Sequence, residues 1–151
     1  MRRQALLRSL SSSIAALDVG HLLRIGIDGV DAAGKSSLAD ELVAPLRSHD
    51  RPVVRASIDG FHRPRADRYQ LGRRSPEGYF RHSFNLEAIV SFVLAPLGAG
   101  GSRQIKRAVF DYRIDAPVDA PDETVLLNAI LLFNGVFLHR PELIPYWDAT
   151  V

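Results

Sequence analysis

Two glycines, a lysine and a serine stand in the order Gly29-Val30-Asp31-Ala32-Ala33-Gly34-Lys35-Ser36, which fits the spacing G-x-x-x-x-G-K-[ST]. Glycines at those places let successive backbone amides curl inward onto phosphate oxygens, and a helix beginning near the lysine aims its positive end at the same point. In such a loop the lysine reaches the β and γ phosphates and the serine hydroxyl ligates Mg²⁺. The motif therefore predicts binding of a nucleoside triphosphate. Alone, it leaves open a kinase, an ATPase or a nucleotide-dependent switch.

A second group follows at Ser57-Ile58-Asp59-Gly60-Phe61-His62-Arg63-Pro64. If the preceding apolar run is a strand of a parallel sheet, Asp59 lies at its C-terminal edge, where open α/β sheets place their ligands. A carboxylate there can orient and deprotonate an acceptor hydroxyl; a turn or cap residue is the plainer alternative. Between Arg51 and His82 eight arginines face Asp59, Asp67 and Glu77, a local excess of five positive charges. That run fits either a solvated surface or an anionic ligand.

The elements that must position these residues can be read from periodicity. Leu6, Leu7, Leu10, Ile14 and Leu17 recur at helical spacing over residues 2–17, and Leu22 to Asp28 reads as a strand buried in a parallel sheet. Leu38, Leu42 and Leu46 predict a helix after Lys35 that Pro45 ends or kinks. Val53 to Ile58 is a second strand. Residues 60–83, rich in Pro, Gly, Arg and Tyr, form a connection long enough to be a functional loop. Asn85 is placed to cap a helix carrying Leu86, Ile89, Val90, Val93 and Leu94. Ala108 to Tyr112 is a short extended segment, Pro117 to Glu123 an acidic loop and Val125 to Phe133 a third strand tipped by Asn134-Gly135. Phe137 to Leu143 is expected to cross the surface, and Tyr146 to Val151 opens a fourth extended run. Strands alternating with helices predict an α/β doubly wound parallel sheet with helices on both faces.

Composition narrows the remaining classes. Of 151 residues 46% are apolar and 24% charged, with a net charge of +2 and no cysteine. Disulfide frameworks and thiolate sites are excluded, and a reducing cytoplasm is permitted. The longest apolar stretch, Val125 to Leu138, is broken by Asn128, Asn134 and Gly135 and is too short and polar to cross a bilayer. No signal peptide and no nucleic-acid signature are read.

In order, the phosphate motif, Asp59-Gly-Phe-His-Arg-Pro, Ser75-Pro-Glu-Gly-Tyr-Phe-Arg-His-Ser-Phe-Asn85, Val109-Phe-Asp-Tyr-Arg113 and Leu132-Phe-Asn-Gly-Val-Phe-Leu138 together resemble the uridine kinase and pantothenate kinase family of P-loop kinases. The resemblance spans Arg24 to Val151. It implies a P-loop nucleoside triphosphate hydrolase fold in one kinase domain, residues 1–151, with an N-terminal helix in 1–20 and a core in 21–151. The implied activity is ATP- and Mg²⁺-dependent transfer of the γ-phosphoryl group to a hydroxyl of uridine, cytidine, pantothenate or a similar small alcohol. A nucleotide-binding module without turnover is the other expectation.

Residue by residue, the resemblance implies Asp59 as the catalytic carboxylate assisted by Lys35, and Gly29, Asp31, Ala32, Ala33, Gly34, Lys35, Ser36 and Ser37 as nucleotide contacts. The acceptor would meet His62, Arg63, Tyr79, His82, Phe110 and Tyr112, and the metal Ser36, Asp59 and Asn134. His62 as a surface histidine, and Phe110 and Tyr112 as ordinary core aromatics, are the plainer alternatives. Asn134 stands where the family usually has Glu or Asp, and His82 and Asn85 where acids are expected near the sugar. Beyond the strand near Ala149 the family continues into further strands and an arginine-bearing lid; on that expectation, a chain ending at Val151 binds nucleotide but turns over weakly. The implied partners are a nucleoside triphosphate and a small-molecule acceptor, with neither nucleic acid nor membrane; a homo-oligomer is compatible.

Overall fold

The computed structural model describes residues 2–17, 19–29 and 35–151. In chain order its main elements are α1 (Arg2–Ala15), β1 (Leu23–Asp28), α2 (Lys35–Arg47), β2 (Val53–Ser57), α3 (Arg65–Arg68), α4 (Pro76–His82), α5 (Leu86–Ile89), β3 (Gln104–Ile105), β4 (Phe110–Asp111), β5 (Ala116–Pro117), β6 (Glu123–Thr124), β7 (Ile130–Gly135) and β8 (Ala149–Thr150). Among the described residues β2, β7, β1 and β8 form, in that order, one four-stranded parallel sheet. Two small antiparallel pairs, β3 with β6 and β4 with β5, stand outside it.

Because side chains alternate along a strand, the sheet builds a different core on each face. Leu23, Ile25 and Ile27 of β1 join Ile130 and Leu132 of β7 against Leu42 and Leu46 of α2 and Leu7 and Ile14 of α1. On the opposite face Val54, Ala56, Leu131 and Phe133 meet Ile89, Val93 and Leu94. Helices on both faces are what the alternation of strand and helix in the sequence predicts.

The second face of β1 is not aliphatic throughout. Arg24 is buried there, with its backbone amide and side chain both on Asp148 Oδ2, at 2.7 and 3.3 Å, and Nη1 donating to the Leu94 carbonyl at 3.1 Å. A buried guanidinium needs such partners, and these tie β1 to the approach of β8.

Several boundaries differ from the sequence reading. The apolar run 125–133 is not one strand: Val125 donates to the Arg103 carbonyl, the chain turns at Leu126 to Ala129, and β7 begins at Ile130. Leu126 and Leu127 are 62% and 73% exposed. Hydrophobicity alone cannot see this turn, since only Asn128 breaks the run. Residues 137–143 do not simply cross the surface, for Leu138 and Leu143 are fully buried. Pro45 lies inside α2, which continues two residues beyond it to Arg47; so near the end, the missing amide costs little. Residues 58–83 hold a 3₁₀ turn over Ile58–Phe61 and the helices α3 and α4. Ser75 caps α4, its Oγ accepting from the Gly78 amide at 3.0 Å with Pro76 at the first turn. Asn85 caps α5 as read, accepting from the Ala88 amide at 3.0 Å, and the helix passes into a π turn over Val90–Leu94.

Candidate active site

The C-terminal tips of β1, β2 and β7 bring Asp28, Ser57 and Asn134-Gly135 to one edge of the sheet. The chain passes from that edge through Gly29 toward α2, which begins at Lys35. Of the nucleotide contacts expected there, Asp31, Ala32, Ala33 and Gly34 lie outside the described residues, and Lys35 and Ser36 are described in backbone only. Gly29 donates its amide to the Gly135 carbonyl at 3.3 Å, which locks the start of the motif to the tip of β7. Gly135 is itself required: a Cβ there would come within 2.7 Å of Ile58 Cγ2.

Ser57 fixes the neighbouring turn. Its Oγ accepts from the Asp59 amide at 3.1 Å and from Asn134 Nδ2 at 3.4 Å, so one hydroxyl joins the tips of β2 and β7. Asp59 thereby faces a cavity of about 320 Å³ lined also by His62, Tyr79, Phe84, Tyr112 and Asn134. His62 Nδ1 lies 2.9 Å from the Asp59 carbonyl, and since a carbonyl only accepts, the proton is on Nδ1. The imidazole is packed between Phe84 and Tyr112, with ring centres 4.8 and 4.5 Å away.

Backbone pairing across the long connection holds this wall. Asn85 donates to the Phe61 carbonyl at 2.7 Å and Arg63 to the Ser83 carbonyl at 2.8 Å, while Val109 reaches the Gly60 carbonyl at 2.9 Å and brings in β4 with Tyr112 behind it. Arg113 lies 5.6 Å from the Tyr112 ring centre. Hydrogen bonding to Tyr112 and the nearby charges, Asp111 among them, opposed by desolvation, raise its pKa above the ordinary arginine value.

A second cavity, about 650 Å³, shares Tyr79 and Val136 with the first and is lined by Asp28, Gly29, Phe80, Phe137, His139 and Arg140. Asp28 Oδ1 accepts from the Leu138 amide at 3.0 Å, and Oδ2 lies 2.9 Å from His139 Nδ1, whose Nε2 is 3.0 Å from Thr150 Oγ1. Phe137 has φ of 57°, a left-handed conformation that a bulky side chain adopts only under constraint, and the Tyr79 and Phe80 rings meet it edge-on at 5.1 Å.

The structure thus brings together Asp59, His62, Tyr79, Tyr112 and Asn134. It does not bring in three others. Phe110 is 7% exposed, paired with Pro117 in β4 and absent from the cavity lining, which fits the core reading. Arg63 lies 3.7 Å from Asp67 on its own segment. His82 has a buried Nδ1 with no hydrogen-bond partner among the described residues and lines neither cavity. Sequence reasoning assigned no role to Ser57, Phe84, Arg55, Asp28, His139 or Arg140. Asp28 just before Gly29, and Ser57 two residues before Asp59, were readable signals; Arg55 and Arg140 were hidden in an arginine-rich chain.

Among the described residues no cluster of three or more acidic, His or Cys side chains is arranged for a metal. Asp59 is a suitable oxygen donor. Asn134 is 3% exposed, and its Oδ1 accepts from Arg55 Nη2 at 3.0 Å.

No family model matches the sequence, and no curated protein matches it. Solved structures do. A possible uridine kinase from Bacillus stearothermophilus aligns with a TM-score of 0.85 at 24% identity, over 99% of this chain and 80% of that one. The fold is that of the uridine kinase-like P-loop kinases. A protein described as a fructose transport system kinase from Silicibacter sp. TM1040 shares it at TM-score 0.74 and 21% identity, over 95% and 72% of the two chains. D-glycerate 3-kinase from Cryptococcus neoformans aligns at 0.51 and 15%, over 89% of this chain and 51% of that one. Open α/β sheets place ligands outside the carboxyl ends of their strands, the edge that here carries Asp28 and Ser57.

Proposed function

We propose that the protein is a phosphotransferase of the uridine kinase type, passing the γ-phosphoryl group of ATP to a hydroxyl of a nucleoside or similar small alcohol. The observation that carries this is Asp59, at the tip of β2, facing a cavity walled by His62, Phe84 and Tyr112 on the sheet edge that leads into the Gly29 to Ser36 motif. The aromatic walls suit a planar base or a small apolar body. Asp59 takes the acceptor's proton as its oxygen bonds to the terminal phosphorus and the bond to the leaving diphosphate breaks.

Lys35 and the loop amides would hold the transferring phosphates. Mg²⁺ arriving on the nucleotide would neutralise phosphate charge, with Ser36 and Asp59 as its candidate protein ligands. A cytoplasmic protein with a nucleoside triphosphate and a small-molecule acceptor as partners completes this reading; no described helix is long and apolar enough to cross a membrane.

Titration calorimetry with ATP on wild type and Lys35→Ala tests the nucleotide half, and a coupled assay over uridine, cytidine, pantothenate and sugars tests the acceptor. Asp59→Asn should lower turnover by at least about a hundredfold with nucleotide affinity little changed. Equal ATP affinity in wild type and Lys35→Ala, or full turnover in Asp59→Asn, sinks the proposal.

A further inference from the structure

In P-loop proteins a carboxylate on a strand close to the loop commonly takes part in holding Mg²⁺. Here the tip of β7, paired with β1 at Ile27↔Asn134, carries an amide. The amide is engaged on both ends. Its Oδ1 accepts from Arg55 Nη2 at 3.0 Å and its Nδ2 donates to Ser57 Oγ at 3.4 Å.

Arg55 is well placed to keep that grip. It lies on β2 two residues before Ser57, which pairs with Asn134, so Arg55 and Asn134 are diagonal neighbours on the face that packs α2. Its other guanidinium nitrogen pairs with Asp40 of α2, and its Nε is buried with no hydrogen-bond partner among the described residues. The Arg55 backbone carbonyl is itself held by Arg107 Nη1 at 3.1 Å.

A Mg²⁺ ion on Asn134 Oδ1 would sit about 2 Å from that oxygen and hence no more than about 5 Å from Nη2. Two cations so close across a buried amide repel, and the amide brings no charge to offset it.

Taking as given the proposal that the chain binds a nucleotide at Gly29 to Ser36, we infer that Arg55 is a positioning residue. It holds Asn134 so that the tip of β7 carries a fixed guanidinium and amide in place of a metal ligand, and Asn134 adds nothing to the Mg²⁺ dependence that the nucleotide, Ser36 and Asp59 give. Restoring a carboxylate is then not enough to recruit the metal. Asn134→Asp puts a carboxylate against Arg55, where a charge-assisted pair satisfies it first.

Calorimetry with a non-hydrolysable ATP analogue, with Mg²⁺ and with EDTA, decides this on wild type, Asn134→Asp, Arg55→Met and the double variant. The ratio of the two affinities should be similar in wild type and Asn134→Asp, and greater by at least about tenfold in the double variant. A tenfold gain in Asn134→Asp alone, or none in the double variant, overturns the inference. Thermal melting of the ligand-free proteins reads the pair itself: Asn134→Asp should lower Tm more when Arg55 is Met than when it is Arg. Equal shifts would show that Arg55 does not hold Asn134. Failure of all four proteins to bind the analogue sinks the nucleotide reading and the metal consequence with it, while the melting comparison still decides the pair.

Discussion

The Arg140 guanidinium carbon lies 4.1 Å from the centre of the Phe80 ring, and Nη1 of the same group donates to the Phe80 carbonyl at 2.9 Å. One side chain from the segment after β7 thus grips a residue of α4 through both its ring and its backbone. Glu142 holds Nε at 2.9 Å and completes the set. The grip matters because Tyr79, the neighbour of Phe80, is a wall shared by the two cavities.

Arg140→Met should therefore cost about 2 kcal/mol, the worth of a charge-assisted hydrogen bond together with a partly desolvated cation–π contact. Arg140→Lys should recover less than half of it, because an ammonium cannot make the stack and the fork together. Urea denaturation of the three proteins measures this. Full recovery by lysine would show that charge alone matters.

Phe137 offers a test of backbone strain. Both Phe137→Ala and Phe137→Gly lose the ring contacts with Tyr79 and Phe80, but only glycine adopts a φ of 57° without penalty. Phe137→Gly should be more stable than Phe137→Ala by about 1 kcal/mol, the reverse of the usual order. The usual order, alanine above glycine, would mean that this conformation is not kept in solution.

Phe110 and Tyr112 should separate cleanly. Phe110→Ala empties a buried position and should cost about 3 kcal/mol of stability. Tyr112→Ala opens a cavity wall and should raise the acceptor KM with a much smaller change in stability. Denaturation and steady-state kinetics on the same two variants check the assignment, and a large KM effect from Phe110→Ala without unfolding would reverse it.

Glu123 carries a pH dependence of known sign. Hydrogen bonding to Arg107, assisted by its charge and opposed by desolvation, lowers the Glu123 pKa below the ordinary carboxylate value. A depressed carboxylate contributes stability that is present above its unfolded pKa and is lost as pH falls through the folded one. The pair is largely solvent-screened, so Glu123→Gln should cost about 0.5 kcal/mol at pH 7. That difference should vanish in acid below the carboxylate range. A difference constant from pH 7 to pH 3 would contradict the ion pair.

The sequence by itself determined the layered α/β architecture, because apolar periodicity marks which face of each element must leave water and does so locally. It also determined the phosphate motif, the capping of α5 by Asn85 and the position of Asp59 at a strand tip, since each depends on neighbours within a few residues. Only the tertiary structure decided that β7 starts at Ile130, because the turn exposing Leu126 and Leu127 is imposed by Val125 pairing with Arg103 and Ile130 with Pro52. It alone separated Tyr112, on the cavity, from Phe110, in the core, two aromatic residues of one segment. Finally, the meeting of Arg55 with Asn134 is a contact across 79 residues. A sequence shows one arginine among many there, and the register of β2 on β7 selects which of them reaches the amide.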